Sequence, residues 1–128
     1  MVRRKFILGL LLAGLTCLAA DTQCDDVLRD GIRRQRSLRL RYGGHLRLVD
    51  PHAIGVTPGG HRALLAWQVE GGSRSDPPTG WRTFLLSEIT EASATVRGFT
   101  VQTTYSREKA GLRAVEIDVG ANDSAPRN

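Results

Sequence analysis

Along residues 36–50 apolar and charged side chains alternate with the two-residue period of a strand. Leu38, Leu40 and Tyr42 stand against Arg39 and Arg41, and the pattern resumes at Leu46 and Leu48 with Arg47 between them. Gly43-Gly44 interrupts the alternation, so the stretch reads as a β-hairpin whose register decides what the arginines do. A two-residue Gly43-Gly44 turn pairs Tyr42 with His45 and brings Arg47 onto the face of Leu38 and Leu40. A three-residue loop, 43–45, pairs Tyr42 with Leu46 and collects Leu38, Leu40, Tyr42, Leu46 and Leu48 on one side. Because a one-residue slip would bury an arginine, the pattern favours the longer loop. Arg39, Arg41 and Arg47 then share the opposite face.

Other segments follow the same logic. Residues 21–26 offer polar and acidic groups suited to a helix start, Val27, Leu28 and Ile32 fall near one face, and Arg33, Arg34 and Arg36 complement a helix C-terminus. The spacing predicts a short helix over 25–35, weakened by Gly31 and covering one end or face of a sheet. Asp50-Pro51 is expected to break the strand, leaving 52–56 as a short extended piece, and 57–60 is a turn by composition. Residues 61–69 are apolar on both faces, as in a central strand. A breaker-rich loop of residues 71–80 is long enough to cover a site. Strands are expected over 81–86 and 89–96, and extended segments over 99–105 and 112–119. One helix and five or six short strands make a mainly β protein with an N-terminal helix, a small bent sheet or barrel.

The 128 residues suit one domain with extensions. A formal charge of +5 comes almost wholly from arginine, and its placement alters the picture. Arg3, Arg4 and Lys5 precede an apolar run over 6–15, and small residues end that run at Ala19 and Ala20. This is the layout of a secretory signal peptide or an N-terminal membrane anchor over 1–20, cleaved after Ala19 or Ala20 if processed. The chain is then exported, to periplasm or outside the cell, or held at a membrane only through that leader; if the leader is no signal, the chain is cytoplasmic. The domain would run over 21–119, followed by a polar, disordered tail over 120–128. Cleavage would leave Cys24 as a lone thiol with no internal disulfide.

Arg29, Arg33, Arg34, Arg36, Arg39, Arg41 and Arg47 crowd into one stretch in which Asp30 is the lone acid. Guanidinium groups grip phosphate bidentately, so such a face suits an anionic partner, a nucleotide or a nucleic acid held without sequence readout. The competing expectation is a solvated face paired with Asp25, Asp26 and Glu88, serving a protein partner or none. Tyr42, Trp67 and Trp81 offer stacking surfaces but suit a core equally. His45, His52, His61 and Asp50 match no strong metal-ligand spacing, and no nucleophile, phosphate loop or carboxylate pair stands out. Neither catalysis, a metal nor a cofactor is expected.

Taken in order, several landmarks resemble the WYL domain, a small Sm-like or SH3-like β-barrel module common in bacterial regulators. They are the helix and strand ending at Tyr42, Arg47-Leu-Val-Asp-Pro51, Gly59-Gly60 before Leu64-Leu-Ala-Trp67, and Trp81-Arg-Thr-Phe84 with Ile89; Phe99 and Tyr105 extend the match. At the namesake triplet this chain has Arg62-Ala63-Leu64, and Glu88 stands where the family usually has an arginine. The resemblance implies a ligand-sensing module for nucleotide-like or nucleic-acid ligands, without the DNA-binding helix-turn-helix domain that such modules tend to follow. By motif match Arg47 and Arg82 carry over as contacts. With the arginine face, the candidate ligand-binding set is Arg39, Arg41, Arg47, Arg82 and Tyr42.

Overall fold

The computed structural model describes residues 16–18, 22–72 and 78–120. The rest of the leader, the centre of the 71–80 loop and the tail beyond 120 lie outside the described residues.

Among the described residues the long helix is α1 (Thr22–Arg34), which carries Asp25 in its first turn and Arg33 and Arg34 in its last, matching the charge preference of its two ends. Val27, Leu28 and Ile32 are buried against the sheet. Gly31 is no mere weak point: a Cβ there would sit 3.0 Å from the Leu38 side chain, so its absence lets the strand approach the helix. Gln35 ends the helix in the left-handed region at φ 52°. Its carbonyl accepts from Phe99 N–H at 3.0 Å, and its side-chain amide donates back to the Phe99 carbonyl at 3.0 Å.

The strands are β1 (Thr16–Leu18), β2 (Arg36–Tyr42), β3 (His45–Val56), β4 (Arg62–Gly71), β5 (Gly80–Leu85), β6 (Ile89–Gly98) and β7 (Ala114–Asp118). A 3₁₀ turn, Leu86–Glu88, links β5 to β6. The antiparallel order is β1-β6-β2-β3-β4-β5, with β7 added to β3. Among the described residues the sheet is bent and does not close, since β1 and β5 remain its two ends. Five strands thus form the main run, with β1 and β7 as short additions. The mainly β, one-helix architecture is the one expected from the pattern. Its core gathers Leu28, Ile32, Leu38, Leu40, Val49, Ile54, Leu64, Phe84 and Ile89 between α1 and the inner face.

Three expectations are corrected. The hairpin turns on two residues, with Tyr42 opposite His45 and Leu40 opposite Arg47. Gly43 and Gly44 both adopt positive φ, 60° and 79°, the primed turn whose twist matches that of the flanking strands. Arg47 therefore faces inward with Leu38 and Leu40, and Leu46 and Leu48 share the opposite face with Arg39 and Arg41, Leu46 exposed and Leu48 buried. Next, β3 does not stop at Pro51. A bulge between Pro51 and Ala53 bends it, and beyond the bend its neighbour on one side changes from β2 to β7. In the full chain Cys24 is disulfide-bonded; the lone thiol is the expectation for a chain cleaved after Ala19 or Ala20. The stretch 99–105 forms no strand and packs as irregular chain.

Candidate functional site

Of the five residues singled out as ligand contacts, the fold divides two from three. Arg39 and Arg41 are alternate residues of β2 and project from its outer face. Arg41 Nε reaches Glu91 Oε1 of β6 at 3.1 Å. Arg39 is exposed, and no ion pair engages it among the described residues. Farther along the same face, Arg97 of β6 donates to Ser37 Oγ and, at 2.9 Å, to Asp50 Oδ1. Ser37 donates in turn to Asp50 Oδ1 at 2.5 Å, which satisfies a carboxylate only 5% exposed. The outer row thus reads Arg97, Arg39, Arg41, with acids engaging its two ends.

Arg47, Tyr42 and Arg82 lie elsewhere. Arg47 is 9% exposed. Its Nη1 donates to Gln68 Oε1 at 3.2 Å, while Nε and Nη2 donate to the Tyr42 carbonyl at 3.3 and 3.1 Å. The guanidinium also lies 5.6 Å from the ring centroids of both Tyr42 and Phe84. This inward arginine is stabilised by hydrogen bonds and π-faces, which is how the primed turn tolerates it. Gln68 spends its amide nitrogen on the Gly71 and Pro78 carbonyls, at 2.8 and 3.1 Å, and so joins both ends of the long loop. Tyr42 packs edge-on against Phe84, and its hydroxyl accepts from Leu85 N–H at 3.1 Å. Burial and then the nearby Glu88 carboxylate push its phenol up, against the pull of the Leu85 hydrogen bond. Arg82 Nη1 donates to the Trp81 carbonyl at 3.0 Å.

The other arginines of the basic run are mostly spent. Arg29 reaches Asp25 and Glu116, Arg34 reaches Asp30, and Arg36 donates to the Val96 carbonyl. Arg62 joins Asp25 and Glu116, so one four-member ion cluster ties α1, β4 and β7 together. Arg62 holds the Glu116 carboxyl below the usual carboxylate range.

Two polar centres carried no signal in the sequence. His52 is fully buried at the bulge of β3. Its Nε2 accepts from Gln102 N–H at 3.1 Å, so Nδ1 holds the proton and donates to the Asp50 carbonyl at 2.9 Å. Trp81, Phe99 and Tyr105 surround the ring at centroid distances of 4.9, 5.2 and 5.6 Å. Burial lowers its pKa, and the imidazole is a satisfied, neutral core group. Asp118 is 2% exposed; it accepts from Tyr105 Oη at 2.6 Å and from Arg107 Nε and Nη2 at 3.0 Å each. These partners come from an irregular stretch, so no periodicity could have joined them. Among the described residues no three His, Cys, Asp or Glu side chains group as a metal would need, and no helix is long and apolar enough to cross a membrane.

No family model matches the chain. Nor does any curated protein match it in sequence. Among solved structures it is similar to the proteasome accessory factor B/C (PafBC) of Arthrobacter aurescens, with a TM-score of 0.53 and 20% identity. The likeness covers 75% of this chain and 15% of that one, so this chain spans a small part of that protein's length. That neighbour contains a WYL domain, and the shared arrangement of helix and bent sheet gives this chain a WYL-like fold.

Proposed function

We propose that the chain is a non-catalytic, WYL-like ligand-binding module that takes an anionic ligand, a nucleotide or single-stranded nucleic acid, on the outer face of β2 and β6. Arg39 and Arg41 carry the contact, and Arg97 extends the row. The supporting observation is that Arg39 stands exposed between two further arginines with no ion pair among the described residues. Its fork is open to a phosphate, and the neighbouring Arg41 can trade the surface carboxylate of Glu91 for a doubly charged ligand. Arg47 and Tyr42 act as supports rather than contacts, because Arg47 is buried and Glu88 sets a negative charge beside Tyr42.

Retention on a polyanion resin tests this. The Arg39→Ala/Arg41→Ala variant should lose low-salt retention. Two to three phosphate contacts predict that log affinity for a single strand falls with log salt at a slope of roughly −1.4 to −2.1. Unchanged retention in the double variant refutes the reading.

A second reading keeps the module as an exported structural or protein-interaction domain that has lost ligand binding. Leu46, 49% exposed on the same face, and the acids already engaging Arg41 and Arg97 favour it. Export or membrane anchoring through the leader is itself part of the proposal, supported by the basic residues Arg3, Arg4 and Lys5 ahead of the apolar run 6–15. Fractionation of the tagged chain should recover it outside the cytoplasm; a cytoplasmic chain with Cys24 reduced overturns the assignment.

A further inference from the structure

Away from the arginine row, the irregular stretch 99–113 crosses the outer side of β4 and β5 and leaves a groove of about 420 Å³. That size suits a small molecule. Leu65 and Ala110, both nearly buried, form its floor, and the half-buried rings of Trp81 and Tyr105 form its walls. The ring centroids lie 6.2 Å apart at an interplanar angle of 47°, so the two rings touch and form one continuous aromatic wall. Both polar tips are already used: Trp81 Nε1–H donates to Thr104 Oγ1 at 3.0 Å, and Tyr105 Oη donates to Asp118. What the two side chains present to the groove is therefore ring surface.

Charge on the rim is equally selective. Arg107 is held on Asp118, and Glu108 accepts from Ser106 Oγ at 2.9 Å. Lys109 is exposed, lines the groove, and has no carboxylate partner among the described residues. Its backbone N–H donates to the Ser106 carbonyl at 3.1 Å, which fixes the turn that presents the side chain. An aromatic-walled groove with one unspent ammonium at its mouth suits a planar ligand with a single negative charge.

The geometry points to a second binding site, in which a small aromatic carboxylate lays its ring in the groove over Leu65 and Ala110, against Trp81 and Tyr105, and sets its carboxylate on Lys109. This site shares no residue with the arginine row and stands or falls independently of it.

The test uses the full chain with 2-naphthoate as probe and 2-naphthalenemethanol as the uncharged counterpart, read by tryptophan fluorescence. A Trp67→Phe background makes Trp81 the reporter. Naphthoate should quench saturably and bind more tightly than the alcohol. Lys109→Ala, an exposed change, should weaken naphthoate by about 3- to 5-fold and leave the alcohol unaffected, as expected of a partly solvated ion pair. Ala110→Leu, which fills the floor, should weaken both by about tenfold or more. The Arg39→Ala/Arg41→Ala variant should bind naphthoate like its parent. Absence of saturable quenching in the folded parent, equal binding of acid and alcohol, or indifference to both groove variants overturns the proposal.

Discussion

Replacing Arg47 with alanine discriminates sharply between the two hairpin registers. In the structure this change strips Gln68 Oε1 and the Tyr42 carbonyl of a charged donor and empties the space between two aromatic rings. A buried acceptor left unmet costs ~1–3 kcal/mol. A guanidinium over a ring contributes roughly 0.5–1 kcal/mol. Allowing for relaxation and non-additivity, the loss should be about 3 kcal/mol. With a urea m-value of about 1.5 kcal/mol/M, the unfolding midpoint should drop by about 2 M. Arg47→Met keeps the apolar stem and should lose about half as much, because an apolar group of similar volume suits a site lined by Tyr42 and Phe84. Arg39→Ala should move the midpoint by less than ~0.5 kcal/mol equivalent, as at an ordinary surface position. Urea unfolding followed by circular dichroism reads all three. If Arg47→Ala proves no more damaging than Arg39→Ala, Arg47 is on the solvent side and the two-residue turn is wrong.

Other outcomes follow from the buried polar groups and one close approach. His52 titrates below its ordinary value of about 6.5 in the fold because burial disfavours the cation. The unfolded chain then binds a proton that the folded chain refuses, so stability should be full above about pH 7 and decline as pH falls through about 6.5. Urea midpoints of the parent and His52→Gln across this window check it, and an identical slope in both refutes it. Burial, then the hydrogen bond to Asp118, pushes the Tyr105 phenol well above its ordinary range, so ultraviolet titration should show no tyrosinate from Tyr105 near pH 10. Asp118→Asn should bring that titration down, and a normal Tyr105 titration in the parent contradicts the contact. Gly55→Ala would place a Cβ 2.2 Å from the Ala114 carbonyl oxygen. It should cost ~2–4 kcal/mol and release the β7 amides to hydrogen exchange, whereas unchanged protection of 114–118 would rule out the β3–β7 pairing.

Much of the fold was legible because period-two alternation and breaker residues are local signals. Residues 61–69, apolar on both faces, do form the strand flanked by β3 and β5, and the helix lies within a few residues of its expected bounds. The hairpin register was misread through weighing a buried arginine by its desolvation alone. Gln68, the Tyr42 carbonyl and two rings offset that penalty, and two of these, Gln68 and the Phe84 ring, lie far from Arg47 in sequence. The course of β3 was misread for a related reason. Pro51 lacks a donor, but it sits beside a bulge where the ladder is already irregular, so it marks a bend and not an end. As for the candidate site, alternation did place Arg39 and Arg41 together, whereas Arg97 joins them only through the pairing of β6 with β2. Nothing in the spacing of Trp81, Tyr105 and Lys109 announces a groove, since the segment that assembles it has no regular structure.

The side-chain amide of Gln68 fastens the carbonyls of Gly71 and Pro78 from within the domain, like a clasp closing a loop of cord. Those carbonyls lie at the end of β4 and just ahead of β5, so the spacing of the two strands at that end is held by a side chain of the domain itself.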